Sequence, residues 1–120
     1  IKSLKNKPGI YSARLAKKHG SFLKAMNFIL KKMKHKRDRS AKFICSLSFK
    51  YPKKKIVNVT GELRGSISKK ILGKKGFGYD PIFIPLKKTV TLGQISKYKK
   101  VKMDHRFLAF KKLKKKIKTL

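Results

Sequence analysis

Acidic residues are nearly missing from this chain. Asp38, Glu62, Asp80 and Asp104 are the four, set against 36 lysines and arginines, and the formal net charge at pH 7 is +32. The four are scattered, and no helical spacing pairs two carboxylates. That is a thin inventory for a magnesium site of phosphate chemistry, which usually takes one or two carboxylates. Cys45 is the one cysteine, so an internal disulfide and a Cys/His zinc site are excluded, and a reducing compartment is the expectation. There is no Ser-His-Asp arrangement and no Walker-type glycine loop ending in Lys-Ser/Thr. No apolar run approaches the ~20 residues of a membrane span, and no signal peptide is visible at the N-terminus. The chain opens on Ile rather than Met, and the expectation is a fragment whose upstream part is missing.

What is present bounds the rest. The 120 residues suffice for one domain,, and a hydrophobic content of 40% allows a modest core. Self-repulsion at +32 opposes compaction and favours polyanions: nucleotides, nucleic acid or anionic membrane surfaces,. The basic residues are lysines except Arg14, Arg37, Arg39, Arg64 and Arg106. Dedicated phosphate and base readers favour arginine, whose planar fork pairs bidentately. The lysine excess therefore reads first as compositional bias, and second as charge selected for a polyanion.

The periodicities describe mixed α and β structure. Pro8-Gly9 marks an early turn. Phe22, Met26, Ile29, Leu30 and Met33 recur at helical spacing within 21–34,. Lys34 to Arg39 should be a solvated loop. Residues 42–50 alternate, with Phe43, Cys45, Leu47 and Phe49 on one side, as in a half-buried strand. After a turn at Tyr51-Pro52, a second strand runs from Ile56 to Val59 and continues through Leu63 to Ile67, paired antiparallel with the first. Gly61 and Gly65 within it suggest bulges or close backbone packing. Residues 73–81 form a glycine-punctuated loop, followed by Ile82-Phe83-Ile84 and Pro85. From Met103, apolar positions 103, 107, 110, 113 and 117 predict an amphipathic helix capped by Asp104.

Two stretches bear on chemistry. In Gly76-Phe77-Gly78-Tyr79-Asp80-Pro81, glycines flank an aromatic, so the backbone has conformations closed to other residues. The ring can offer its face to a purine, and base-on-aromatic stacking contributes about 1–3 kcal/mol. Asp80 supplies an acceptor beside it. The competing reading is a tight turn whose Phe and Tyr are core. Further on, His105 and Arg106 open the last helix, where donors add to the positive end of its dipole. An arginine there can donate to a purine 6-oxo group but not to the 6-amino group of adenine. Leaving a buried donor unpaired costs about 1–3 kcal/mol. The competing reading is a surface histidine and a solvated charge.

Taken together, the motifs resemble the inosine triphosphatase family of non-canonical purine pyrophosphatases. The resemblance rests on the Gly76–Pro81 run with Ile82-Phe83, on Gly93-Gln94-Ile95-Ser96, on Lys100, and on His105-Arg106 followed by Ala109. It extends to Pro8-Gly9-Ile10-Tyr11-Ser12-Ala13-Arg14, to Arg39-Ser40-Ala41-Lys42-Phe43, and to Gly61 through Ile67, in the family's order over nearly the whole chain.

That resemblance implies an α/β fold, a mixed sheet with flanking helices whose N-terminal part is missing, so that residues 1–120 form a single partial domain. It implies hydrolysis of ITP, dITP and XTP to the monophosphate and pyrophosphate with Mg²⁺, in a cytoplasmic homodimer that does not enter the membrane. By position, Phe77, Gly78, Tyr79 and Asp80 would belong to the base-binding loop, with Phe77 stacking. Lys100 would bind substrate, and His105 and Arg106 would read the purine edge. The phosphate loop, metal ligands and general base would lie upstream, so this segment holds no catalytic or metal residue and should be inactive alone.

The sequence departs from the family at Gln94, usually acidic, at Val101, usually Asn, and at Asp104, usually Ser. Aspartate and serine are both good N-caps, so the helix geometry should survive, but Asp104 puts a negative charge beside His105. The rival from another class is a small basic nucleic-acid-binding protein, such as a ribosome-associated factor; a degraded family member kept as an interaction module is a third reading.

Overall fold

A computed structural model describes residues 1–119. Helices α1 (Ser12–His19) and α2 (Phe22–Lys32) precede strands β1 (Ser40–Lys50) and β2 (Ile56–Ile67). The short strand β3 (Phe83–Pro85), the single turn α3 (Lys97–Lys100) and α4 (His105–Lys118) follow, with 3-10 turns at Lys2–Leu4, Gly9–Tyr11, Asp80–Ile82 and Leu92–Gln94. The three strands form one sheet in the order β1-β2-β3. The elements are thus the mixed α and β structure that the periodicities describe, in the α/β class that the resemblance implies.

Alternation makes the hairpin. Along β1 every second residue is shielded, Phe43, Cys45, Leu47 and Phe49 among them, while Ser46 and Ser48 face outward. Side-chain bonds join Ser46 to Thr60 (3.3 Å) and Ser48 to Asn58 (2.6 Å). One index rises as the other falls, so the pair is antiparallel. The β2–β3 pair is also antiparallel, with Gly65 opposite Pro85 and Ile67 opposite Phe83.

The chain divides into two compact units, one of residues 1–42 and 64–97, the other of 43–63 and 98 onward. In the first, Gly20 ends α1 in a left-handed conformation (φ 94°), and the Ser21 hydroxyl caps α2 by accepting the amide of Lys24 at 3.1 Å,. Ala25, Met26, Ile29 and Met33 are buried, and Ile82, Phe83 and Leu92 complete this core. The expected helix is present, but Phe22, included in its apolar face, is 40% exposed. Helix α1 has no counterpart in the periodicity: its one large apolar residue is Leu15.

Arg39 corrects the solvated-loop expectation for Lys34–Arg39. Lys34 to Asp38 are exposed, but the Arg39 guanidinium is partly buried and donates to the carbonyls of Met33 (2.8 Å), Ile67 (2.8 Å) and Ser68 (2.7 Å). Those carbonyls lie where α2 and β2 end, and the Met33 carbonyl accepts the Lys36 amide as well, at 3.0 Å. A rigid fork with five donors suits the task as a lysine would not.

In the second unit α4 lies on β2. The Asp104 carboxylate accepts the Phe107 amide at 2.8 Å, the expected cap. The expected seam holds at Met103, Phe107, Leu113 and Ile117 and fails at one position: Phe110 is 58% exposed, and Ala109 is buried in its place. The reason is Gly61, where a Cβ would overlap the backbone nitrogen of Ala109 and the carbonyl of His105 and come within 2.8 Å of the Ala109 Cα. A glycine facing an alanine lets helix and strand approach backbone to backbone, and the bulky Phe110 is turned out. Gly61→Ala should therefore lower stability by about 1–3 kcal/mol through overpacking, read as a shifted midpoint in urea; an unchanged midpoint would show that the two backbones are not held this close.

Candidate functional site

The glycine-punctuated turn is a braced structure. Gly76 has φ 75° and Gly78 φ 63°, and a Cβ on Gly76 would overlap Asp80 Oδ2. That overlap explains the glycine: Asp80 folds back under the turn, and its Oδ2 accepts the Phe77 amide at 2.9 Å. Asp80 is only 4% exposed. Lys75 donates its amide to the Gly93 carbonyl at 2.8 Å, and Leu72 donates to Pro81 at 2.9 Å.

Tyr79 anchors the turn from another side. It is buried, and its hydroxyl donates to the Ser12 carbonyl at 2.6 Å. Phe22 packs on it edge to face, centroids 5.2 Å apart, a favourable aromatic geometry,. Burial raises the Tyr79 phenol above its ordinary value. Phe77, by contrast, is 56% exposed at the tip. The four residues singled out here thus divide in two: Phe77 presents a ring, while Gly78, Tyr79 and Asp80 shape and hold the turn that presents it.

Behind the turn, Thr91 donates its hydroxyl to the Leu72 carbonyl at 2.5 Å and its amide to Gln94 Oε1 at 2.9 Å. Gln94 is one of the departures noted above. Its side-chain oxygen accepts here as a carboxylate would, so the local geometry has the acceptor it needs.

Lys100, His105 and Arg106 belong to the other unit, on the connection from α3 into α4. Lys100 is buried, unusual for a lysine, and its carbonyl accepts the amides of Met103 (3.0 Å) and Asp104 (3.1 Å). His105 is half-buried, its ring stacked on Phe43 at 5.1 Å and 30°, while Arg106 and Val101 are exposed. The reading of His105 as a plain surface residue is therefore set aside, and Asp104 is occupied as the helix cap.

The carboxylates do not make a metal site. Among the described residues no three His, Cys, Asp or Glu side chains group to hold an ion. Asp80 is turned onto Phe77, Asp104 onto Phe107, and Asp38 accepts the Ser40 hydroxyl (2.6 Å) and amide (3.0 Å), bonds that hold its pKa down. These residues alone do not fit Mg²⁺. Two residues of consequence escaped the sequence reading as individuals, Ser12 and Arg39. Both stand inside quoted motifs, but their partners lie far along the chain.

The chain belongs to the Ham1 family, whose sequence profile matches residues 1–116. Similar proteins include a dITP/XTP pyrophosphatase of Dictyoglomus thermophilum, 43% identical over 95% of this chain and 57% of its own length. Another, from Oceanobacillus iheyensis, is 40% identical over 100% of this chain and 62% of its own length. The structure of the Staphylococcus aureus Ham1 protein superposes with a TM-score of 0.90 at 35% identity, covering 98% of this chain and 61% of that one. A Ham1 protein from Coxiella burnetii also gives 0.90, at 27% identity, over 100% and 63% of the two chains. The chain thus spans little more than half the length of the curated relatives it matches. No helix among the described residues is long and apolar enough to cross a membrane.

Tyr79→Phe removes the donor to Ser12 and should cost about 1 kcal/mol of stability. The raised folded pKa fixes the sign of the pH effect. The stability gained by keeping the phenol protonated is present below the unfolded value of about 10 and is lost as pH rises through the folded one. The phenolate absorbance of the wild type minus that of Tyr79→Phe should show one group titrating above the ordinary tyrosine range; a difference curve centred at the ordinary value would contradict the buried brace.

Proposed function

We propose that this chain is the base-recognising part of a pyrophosphatase that converts ITP, dITP and XTP to the monophosphate and pyrophosphate. One observation carries the reading: an exposed phenylalanine on a turn whose every flank is held, in a chain similar to dITP/XTP pyrophosphatases. Phe77 gives its face to the purine, and the bonds of Asp80 and Tyr79 keep the ring from collapsing into the core. A platform ordered before binding loses little freedom when the base arrives.

Arg106, exposed in the first turn of α4, donates to the 6-oxo group that inosine and xanthine bear and adenine lacks. His105, held against Phe43, and the buried Lys100 complete the polar contacts of their own unit. The binding energy selects the base; bond breaking falls to groups outside this segment. The general base and the ligands of Mg²⁺ belong there in this proposal, since Asp38, Asp80 and Asp104 are already engaged. The whole protein is proposed as a cytoplasmic homodimer.

In the whole protein, Phe77→Ala should lower kcat/KM for ITP roughly 5- to 150-fold, the equivalent of about 1–3 kcal/mol of stacking. Arg106→Met should cut the preference for ITP over ATP, because only the 6-oxo substrate loses a donor. The 120-residue segment alone should not turn over ITP with Mg²⁺; multiple turnovers abolished by Phe77→Ala would overturn the division of labour.

A further inference from the structure

The second unit holds a charged feature that purine recognition leaves unused. Lys112, Lys115, Lys116 and Thr119 line an open cleft of about 550 Å³ with Asn58 and Thr60 of β2. On α4 these positions stand at i, i+3, i+4 and i+7, one face of a helix. That face adjoins the seam through Ala109 and Leu113 that rests on the hairpin.

Two of the three lysines are tethered to β2. Lys112 Nζ donates to the Thr60 carbonyl at 2.8 Å, and Lys116 Nζ to the Asn58 carbonyl at 3.4 Å. Each ammonium has three donors, so one bond to β2 positions the charge and leaves two for a ligand. The Asn58 and Thr60 side chains pair instead with Ser48 and Ser46 on the exposed face of the hairpin. Lysines in the last turn of a helix also complement its dipole. That accounts for some positive charge there, but not for Lys112 and Lys116 both reaching to carbonyls of one strand.

We propose that this cleft is a binding surface for the sugar-phosphate backbone of nucleic acid. Three ammonium groups lining one cleft match a row of phosphates that needs charge neutralisation and hydrogen bonds without base readout,. A bilayer fits less well. A membrane-surface helix buries an apolar face in lipid, whereas the apolar seam of α4 is already covered and leaves Phe110 as its one large exposed apolar side chain.

The test is the salt dependence of binding of a fluorescein-labelled single-stranded oligouridylate to the intact protein, followed by anisotropy. Each neutralised phosphate of a single strand contributes a slope of about 0.7 in log K against log salt. The triple variant Lys112→Gln, Lys115→Gln, Lys116→Gln should reduce that slope by about two. Arginine at the same positions should restore it, which separates lost charge from lost folding. Neutralising Lys53, Lys54 and Lys55, the same number of charges in the hairpin turn, should leave the slope unchanged. Equal losses from both triple variants would mean that the charge acts diffusely and would overturn the proposal. So would preferential binding to phosphatidylserine vesicles, or failure of arginine to restore the slope in a folded variant.

Discussion

The Tyr79 hydroxyl reaches 67 residues back along the chain to the carbonyl of Ser12, 2.6 Å away. That contact joins the first turn of α1 to the glycine turn, and much of the first unit is arranged to permit it. Phe22, at the start of α2, lays its edge on the Tyr79 ring. Asp80, next in sequence, turns beneath the loop to take the Phe77 amide. The Gly76 Cα lies so close to that carboxylate that no side chain fits. Phe77 is left outside because its neighbours on both sides are committed inward. In the proposed function that exposed ring is the face offered to the base.

Charge is the second constraint. At +32 on 120 residues the folded chain works against its own repulsion,, and its four acids can offset little. Two of them are spent inside the fold. Asp80 and Asp104 are buried as backbone acceptors, one shaping a turn and the other capping α4. The lysines mostly project outward, and their hydrogen bonds to β2 carbonyls at Lys112 and Lys116 order a few of them. A net charge that looks like background in composition thus acquires a direction at one place on the molecule.

The elements differ in how far their residues revealed them. The β1–β2 hairpin was legible because alternation alone decides which side of a strand is shielded. The cap and extent of α4 were legible from Asp104 and the helical period. One position of its contact face was not, because two small residues, Gly61 and Ala109, settle it, and hydrophobic spacing weights the large Phe110 instead. Helix α1 was hidden by lysines that satisfy helical geometry without an apolar stripe. Arg39 read as loop because its three carbonyl partners are contributed by α2 and by the end of β2. In the candidate site, the residue types of the Gly76–Pro81 turn pointed to a held aromatic, but which ring was held and which presented depended on Ser12. Family membership was legible from motif order, since Ser12, Arg39, Gly61, Asp80 and the Lys100–Arg106 connection each have a structural task at their position.

The central claim is that Phe77 is a preformed face for a purine base. It is tested most directly by titrating the whole protein with inosine monophosphate, the product proposed here, while following the ring resonances of Phe77 by NMR. Stacking predicts saturable upfield shifts of the Phe77 ring, with no comparable change at Phe110 on α4. Saturable binding that left the Phe77 ring unmoved would contradict the account.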